Sequence, residues 1–307
     1  MNGEAQTSGS VLMVRPASFG FHAEAAESNV FAHAEPDTDL TAALREFDGV
    51  VQRLTDAGVE VLILDDTPDP PKPDAVFPNN WVTFHADGTM VLYPMATAAR
   101  RLERNPEGLK ALLASHGFGV RRAVDLSIHE RDGEFLEGTG SLVLDRPRRR
   151  AYANLSPRTD AAAIADFDER LGWSTLIFEA RDRAGRPIYH TNVAMSFGAR
   201  FAMLCTEAIV PEYRERLIAE IGASGRTLIE VDYEQMGQFA CNLIELSGRD
   251  GPAIALSSTA RRSFKPQQLR LLESFGELVD ADIPTIETVG GGSVRCMIAD
   301  IHLPRPA

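Results

Sequence analysis

Glu137-Gly138-Thr139-Gly140-Ser141-Leu142-Val143-Leu144 opens on polar and small residues and then runs into a short apolar stretch of strand type. A turn, Asp145-Arg146-Pro147, follows, and then a second strand-like stretch, Arg150–Asn154. Short apolar runs parted by an Asp- or Gly-rich turn read as a β-hairpin. Beyond it, Thr159–Leu171 has helical periodicity behind a Thr/Asp cap and stops at Gly172, and Trp173–Phe178 reads as a third strand. The unit is hairpin, helix, strand.

The same unit recurs along the chain. Polar residues again head apolar runs in Asn79-Asn80-Trp81-Val82-Thr83-Phe84, His190-Thr191-Asn192-Val193-Ala194-Met195, Cys241-Asn242-Leu243-Ile244-Glu245-Leu246 and Arg295-Cys296-Met297-Ile298-Ala299. The turns Ala86-Asp87-Gly88, Gly198-Ala199-Arg200 and Gly248-Arg249-Asp250-Gly251 lead to return strands at Met90–Tyr93, Phe201–Cys205 and Ala253–Leu256. Helical stretches are expected at Pro106–His116, at Glu212–Ile221 and from Lys265-Pro266 to Val279, with further strands at Val59–Leu64, Thr227–Val231 and Thr285–Thr288. The fifth hairpin runs out of chain, and Val11–Arg15 can supply its return strand and close a ring. The expected fold is therefore α/β: a five-bladed α/β propeller in a single domain. A doubly wound parallel sheet is the alternative, which the recurring hairpins disfavour. In a ring, equivalent positions converge near the axis. They hold Asn80, Glu137, His190 with Asn192, Asn242 and Cys296.

Composition narrows the function classes. The 307 residues are 44% hydrophobic and 24% charged, enough for a real core. A formal charge of −13 argues against nucleic acid and against an anionic membrane surface. Cys205, Cys241 and Cys296 are too scattered for a disulfide framework or a zinc site, and the cysteine chemistry set out below requires neither a metal nor an organic cofactor. Met1–Ser10 has no apolar core of a signal peptide, and no apolar run approaches a membrane span. A cytoplasmic location and a reducing compartment are expected. The sequence leaves the oligomeric state open, a homodimer being the candidate assembly.

Val289-Gly290-Gly291-Gly292-Ser293-Val294-Arg295-Cys296 is the sharpest local feature. Three glycines permit tight turns and expose amides beside a thiol. No Gly-Lys-Ser/Thr follows, which disfavours a phosphate loop. A nucleophilic thiol needs a base, and His190 stands at the equivalent position of another unit. Glu137 can orient that histidine.

Gly290-Gly291-Gly292 before Arg295-Cys296, His190-Thr191-Asn192 and Leu136-Glu137-Gly138 together resemble the pentein superfamily. Its members include arginine and agmatine deiminases, dimethylarginine dimethylaminohydrolases and amidinotransferases. The similarity runs from Val11 to Leu303, and Phe77-Pro78-Asn79-Asn80-Trp81 looks most like the citrulline-utilisation hydrolases often labelled amidinotransferase-like. The resemblance implies the five-bladed α/β propeller, with residues 1–10 as a flexible N-terminus and 11–307 as one catalytic domain. It implies Cys296 as nucleophile, His190 as general acid/base and Glu137 as the acidic partner. It also implies that Asp74, Phe77, Asn80, Arg100, Arg158 and Asn192 bind substrate, the two arginines through the α-carboxylate of an amino acid.

Deiminases carry aspartates where this sequence has Asn80 and often where it has Asn192. Carboxylates clamp a guanidinium through charge-assisted pairs, whereas amides bring no countercharge. The two amides point to a neutral ureido group, and so to hydrolysis of citrulline to ornithine, carbon dioxide and ammonia through a Cys thioester. An arginine- or dimethylarginine-type guanidine hydrolase, or an amidinotransferase, is the alternative within the family. Ribosome anti-association factors share the ring without being enzymes, but they have no use for Cys296, His190 and Glu137 together.

Overall fold

In the computed structural model, which describes residues 4–35 and 40–305, the chain forms five three-stranded sheets of one plan. In each, a central strand pairs antiparallel with one neighbour and parallel with the other. The first sheet pairs Val82–Phe84 with Thr89–Leu92 and that strand with Arg122–Asp125. The second joins Leu142–Asp145, Arg150–Asn154 and Ser174–Phe178. The third joins Met195–Phe197, Phe201–Leu204 and Thr227–Glu230. The fourth joins Ile244–Ser247, Pro252–Ser257 and Glu277–Ala281. In the fifth, Ala299–Asp300 lies antiparallel to Ser10–Arg15, with Val11 opposite Asp300, and Ser10–Arg15 runs parallel to Glu60–Asp65. The first and last strands of the chain thus share a sheet, as expected.

A helix crosses over between the parallel strands of every unit, at Pro106–Ser115, Ala161–Leu171, Pro211–Ala223, Pro266–Glu273 and Leu40–Asp56. The class is α/β. Sheets meet by packing: Ala299–Asp300 lies against Val82–Phe84, and Met195–Phe197 against both Leu142–Asp145 and Ile244–Ser247. These inner strands are almost wholly buried, and each carries a buried polar residue among its apolar ones: Thr83, Asp145, Ser196, Glu245 and Asp300. Among the described residues no sheet exceeds three strands, which leaves no room for a doubly wound sheet. No helix among them is long and apolar enough to cross a membrane.

Several local expectations change. Leu40–Asp56 went unrecognised, although Ala43, Phe47, Val50 and Leu54 form its buried stripe at helical spacing. The helix starting at Pro266 stops at Glu273, and the strand of that unit is Glu277–Ala281. Thr285–Thr288, read as the strand that follows the helix of its unit, winds instead into a π-helical turn over Ile286–Gly290. The carboxylate of Glu46, on Leu40–Asp56, accepts from the backbone of Thr285 and of Ile286 at 2.9 Å each and so caps that turn. The polar heads of the hairpins are not strand either: Pro78–Asn80, Gly138–Ser141 and Thr191–Ala194 are short helical turns, and Cys296 lies in a turn before Ala299–Asp300. Residues 1–3, 36–39, 306 and 307 fall outside the described residues. From Glu4 onward the segment expected to be flexible is tied down, with Arg146 Nη1 donating to Glu4 Oε1 at 2.6 Å and Gln6 Nε2 to the Leu144 carbonyl at 2.9 Å.

Candidate active site

The helical turns carry the candidate residues toward one another. Gly138 has φ 44°, and a Cβ there would lie 2.2 Å from the Asn79 carbonyl, so only glycine lets this turn approach its neighbour. Gly140 is as constrained: a Cβ would meet Asn80 Nδ2 at 2.4 Å and His190 Nδ1 at 2.7 Å. The threonine that follows His190 fastens its own turn, Thr191 Oγ1 donating to the Ser141 carbonyl at 2.6 Å and accepting from Asn154 N at 2.8 Å.

His190 Nε2 lies 2.8 Å from Glu137 Oε2. Burial alone would push the Glu137 carboxyl up, but Arg158, the His190 hydrogen bond and Arg100 together hold it well below the usual carboxylate range. Its other oxygen accepts from Ala96 N at 3.0 Å. Burial drives His190 the opposite way, down to about 4, and the charges of Arg158 and Arg100 add to the effect. The pair is therefore a carboxylate and a neutral imidazole. Its geometry assigns the proton to Nε2 and leaves the lone pair on Nδ1.

Cys296 is 3% exposed and lies on the wall of a cavity of about 280 Å³ that it shares with His190, Asp74, Phe77, Asn80, Arg100, Arg158 and Tyr189. Glu137 is fully buried behind His190. No hydrogen bond joins Cys296 to His190; the sulfur instead receives Asn242 Nδ2 at 3.2 Å and Asn192 Nδ2 at 3.6 Å. The triple-glycine segment lines the same cavity, and two of its glycines make room for a side chain. A Cβ on Gly290 or Gly292 would lie 2.9 Å from the Phe77 ring.

Arg100 is spent on protein partners. Its Nε and Nη2 bind both oxygens of Glu103 at 2.9 and 3.0 Å, Nη1 donates to Asn80 Oδ1 at 2.9 Å, and Nη2 also reaches the Phe77 carbonyl at 3.3 Å. Glu103 is itself pushed up by burial to about 7, against the pull of Arg100. Arg158 donates to Ser28 Oγ at 2.8 Å and to the Ala25 carbonyl at 2.6 Å, lies 3.4 Å from Glu137 and covers the Tyr189 ring. Asp74 takes His22 Nδ1 at 2.7 Å, and this hydrogen bond raises the imidazole of His22.

Asn192 is the one expected contact that the structure sets outside this cavity. It faces the sulfur and a second cavity of about 450 Å³, lined also by Ser196, Arg146 and Arg295, and its Oδ1 is buried without a partner. Sequence reasoning missed three groups. His22 and Asn29 come from a segment without repeat signal, and Glu103 looks like a solvated helix charge until Arg100 is seen beneath it. Among the described residues no three His, Cys, Asp or Glu side chains gather to hold a metal ion.

With this geometry in view, the comparisons with known proteins are specific. A family model described as N,N dimethylarginine dimethylhydrolase, eukaryotic, matches residues 15–303. No curated protein matches the sequence. The substrate-bound N-terminal domain of ArgZ, an arginine dihydrolase from the ornithine-ammonia cycle in cyanobacteria, superposes with a TM-score of 0.74 at 17% identity, covering 97% of this chain and 99% of that one. A variant of AgrE in complex with L-arginine gives 0.71 at 15% identity, over 97% of this chain and 40% of that longer one. A dimethylarginine dimethylaminohydrolase adduct gives 0.64 at 15% identity, over 95% and 99% of the two chains.

Proposed function

This chain belongs to the N,N-dimethylarginine dimethylhydrolase family of the pentein superfamily, hydrolases of C–N bonds, and from that premise we propose that it is a cysteine hydrolase acting on the ureido end of a citrulline-type amino acid. The five sheets are read as the blades of one closed propeller, and residues 11–307 as one catalytic domain around its axis.

One observation carries the choice of substrate. Cys296 and His190 open on a cavity whose nearby carboxylates already have partners, since Asp74, Glu137 and Glu103 share Arg100, Arg158 and, when it is protonated, His22. Asp74 is held by His22 with Arg100 at 3.8 Å, Glu137 by Arg158 and Arg100, and Glu103 by Arg100. A guanidinium entering this set would lack a countercharge, and a buried unpaired charge is costly. A ureido group brings none.

The proposed chemistry follows from the proton assignments. His190 Nδ1 takes the thiol proton and Cys296 forms a bond to the ureido carbon. The departing amine takes that proton as its C–N bond breaks, leaving a carbamoyl thioester and ornithine. His190 then draws a proton from water, the thioester is hydrolysed to carbamate, and carbamate falls to carbon dioxide and ammonia. Glu137 holds the imidazole in its tautomer throughout. Arg158 keeps two donors beyond its present bonds, which supports assigning it to the substrate carboxylate.

A second reading has an observation of its own. Asp74 lines the cavity and is tied only to groups that a guanidinium could replace, and structural relatives carry names and ligands of arginine chemistry. Incubation with citrulline, arginine and asymmetric dimethylarginine, assayed for ornithine, citrulline and ammonia, separates the two. Ornithine from citrulline is the expected result. Release of citrulline from either guanidine, without turnover of citrulline itself, overturns the ureido reading.

A further inference from the structure

We propose that Asn242 is a further catalytic residue, whose side-chain amide donates a hydrogen bond to the attacking sulfur of Cys296 and stabilises the negative charge that develops there as His190 takes the thiol proton. The proposal rests on Cys296 being the nucleophile.

The orientation of this amide is fixed by its other end. Asn242 Oδ1 lies 3.0 Å from the backbone nitrogen of Arg295, and a peptide N–H can only donate. Oδ1 must therefore face Arg295, so the atom 3.2 Å from Cys296 Sγ is the NH2 group. Flipping the amide would set a carbonyl oxygen against the sulfur and two donors against each other. Asn192 also reaches Sγ, but at 3.6 Å and with its own oxygen unpartnered, so nothing comparable locks its direction.

The segment before Asn242 is shaped to place it. Phe239 adopts φ 60°, a left-handed conformation that bulky residues rarely take. The turn closes through Asn242 N donating to the Phe239 carbonyl at 2.8 Å and Ala240 N to the Gln235 carbonyl at 3.0 Å. Backbone strain of this kind is kept only where the surroundings over-determine it. Asn242 itself is 1% exposed, so the donor it offers meets no competing water.

A donor aimed at sulfur favours the anion over the thiol. Asn242→Asp keeps an oxygen for Arg295 but turns an acceptor toward Sγ, and Asn242→Ala removes the donor altogether. Both are expected to slow iodoacetamide alkylation of Cys296 at neutral pH, located by mass spectrometry, by roughly ten- to a hundredfold. Turnover should fall in step, and both rates should approach wild type as pH rises. A merely structural role would lower them equally at every pH. Melting curves of both variants are taken so that alkylation is compared well below each transition. Alkylation at the wild-type rate in Asn242→Ala, or an unchanged pH profile in either variant, overturns the role of Asn242. Cys296→Ser separates this from the parent reading: turnover surviving in that variant removes the nucleophile itself, whatever Asn242 does.

Discussion

At the scale of single residues, Cys296→Ser is expected to remove turnover and leave the melting temperature near wild type, since the side chain keeps its size. Cys205 and Cys241 are buried and raised by that burial, so their conversion to serine should leave turnover intact. His190 sets the acid limit. It is pushed down to about 4, so it keeps its lone pair through the weakly acidic range, and kcat/KM should fall only below about pH 5 rather than near an ordinary histidine value of about 6.5. An acid limb near pH 6.5 would contradict the neutral pair. The specificity argument drawn from the two amides has to be revised. Arg100 Nη1 already donates to Asn80 Oδ1, so a carboxylate introduced there is captured by Arg100. One introduced at Asn192 faces the sulfur. The double change Asn80→Asp/Asn192→Asp is thus expected to lose citrulline turnover at least tenfold without gaining arginine turnover. A rise in the arginine-to-citrulline ratio of kcat/KM would restore the original argument.

Among the secondary-structure elements, what could be read ahead of the structure depended on whether the signal was local. Ala161–Leu171 was legible because Asp160 caps it, accepting from Ala162 N at 2.8 Å, and Gly172 ends it at φ 67°. That Cys296, His190 and Glu137 lie near one another was legible because the repeat puts each at the same place in its unit. The turn at Ile286–Gly290 was not, because its cap comes from Glu46, some 240 residues earlier in the chain. No window of sequence contains both partners. Asn192 was misplaced for a similar reason: it shares a turn with His190 but points to the other side of the sulfur. Glu46 offers a test. Glu46→Ala frees two backbone donors at the start of the glycine segment and should cost about 1–2 kcal/mol of stability. Because that segment lines the cavity, KM should rise several-fold in the same variant. A loss of stability with unchanged kinetics would show that the turn is not what holds the glycines in place.

For the molecule as a whole, the first and last described strands meet in one sheet. Ser10–Arg15 lies beside Ala299–Asp300, and Arg146 ties both ends to the second sheet by binding Glu4 at 2.6 Å and Asp300 at 2.8 Å. All three side chains are buried. Arg146→Met would fill a similar volume but remove the cation that Glu4 and Asp300 share, leaving Asp300 to His302 and Glu4 to the Ala86 amide, a change of the kind that costs about 3–5 kcal/mol. A fall in melting temperature of roughly 6–20 °C should follow. Arg146 lines the far cavity and not the one shared by Cys296 and His190, so kcat measured well below the transition should stay within about twofold. The pH dependence gives a second readout. Burial opposes the charge of Glu4, but Arg146 and His85 outweigh it and lower the carboxyl to about 2, and Asp300 is lowered for the same kind of reason. Because folding prefers the anions, their stabilising contribution is complete above the ordinary carboxylate range. It is lost as pH falls through that range toward 2. Burial also lowers His302, so folding prefers its neutral form and stability drops further as pH goes below about 6.5. Wild type should therefore lose stability steadily on acidification. In Arg146→Met the carboxylates lose the guanidinium that contributes most to holding them down, and the slope between about pH 5 and 2 should flatten. Denaturant midpoints taken across that range decide it. Parallel curves for the two proteins would mean that the ends are held together by strand pairing alone.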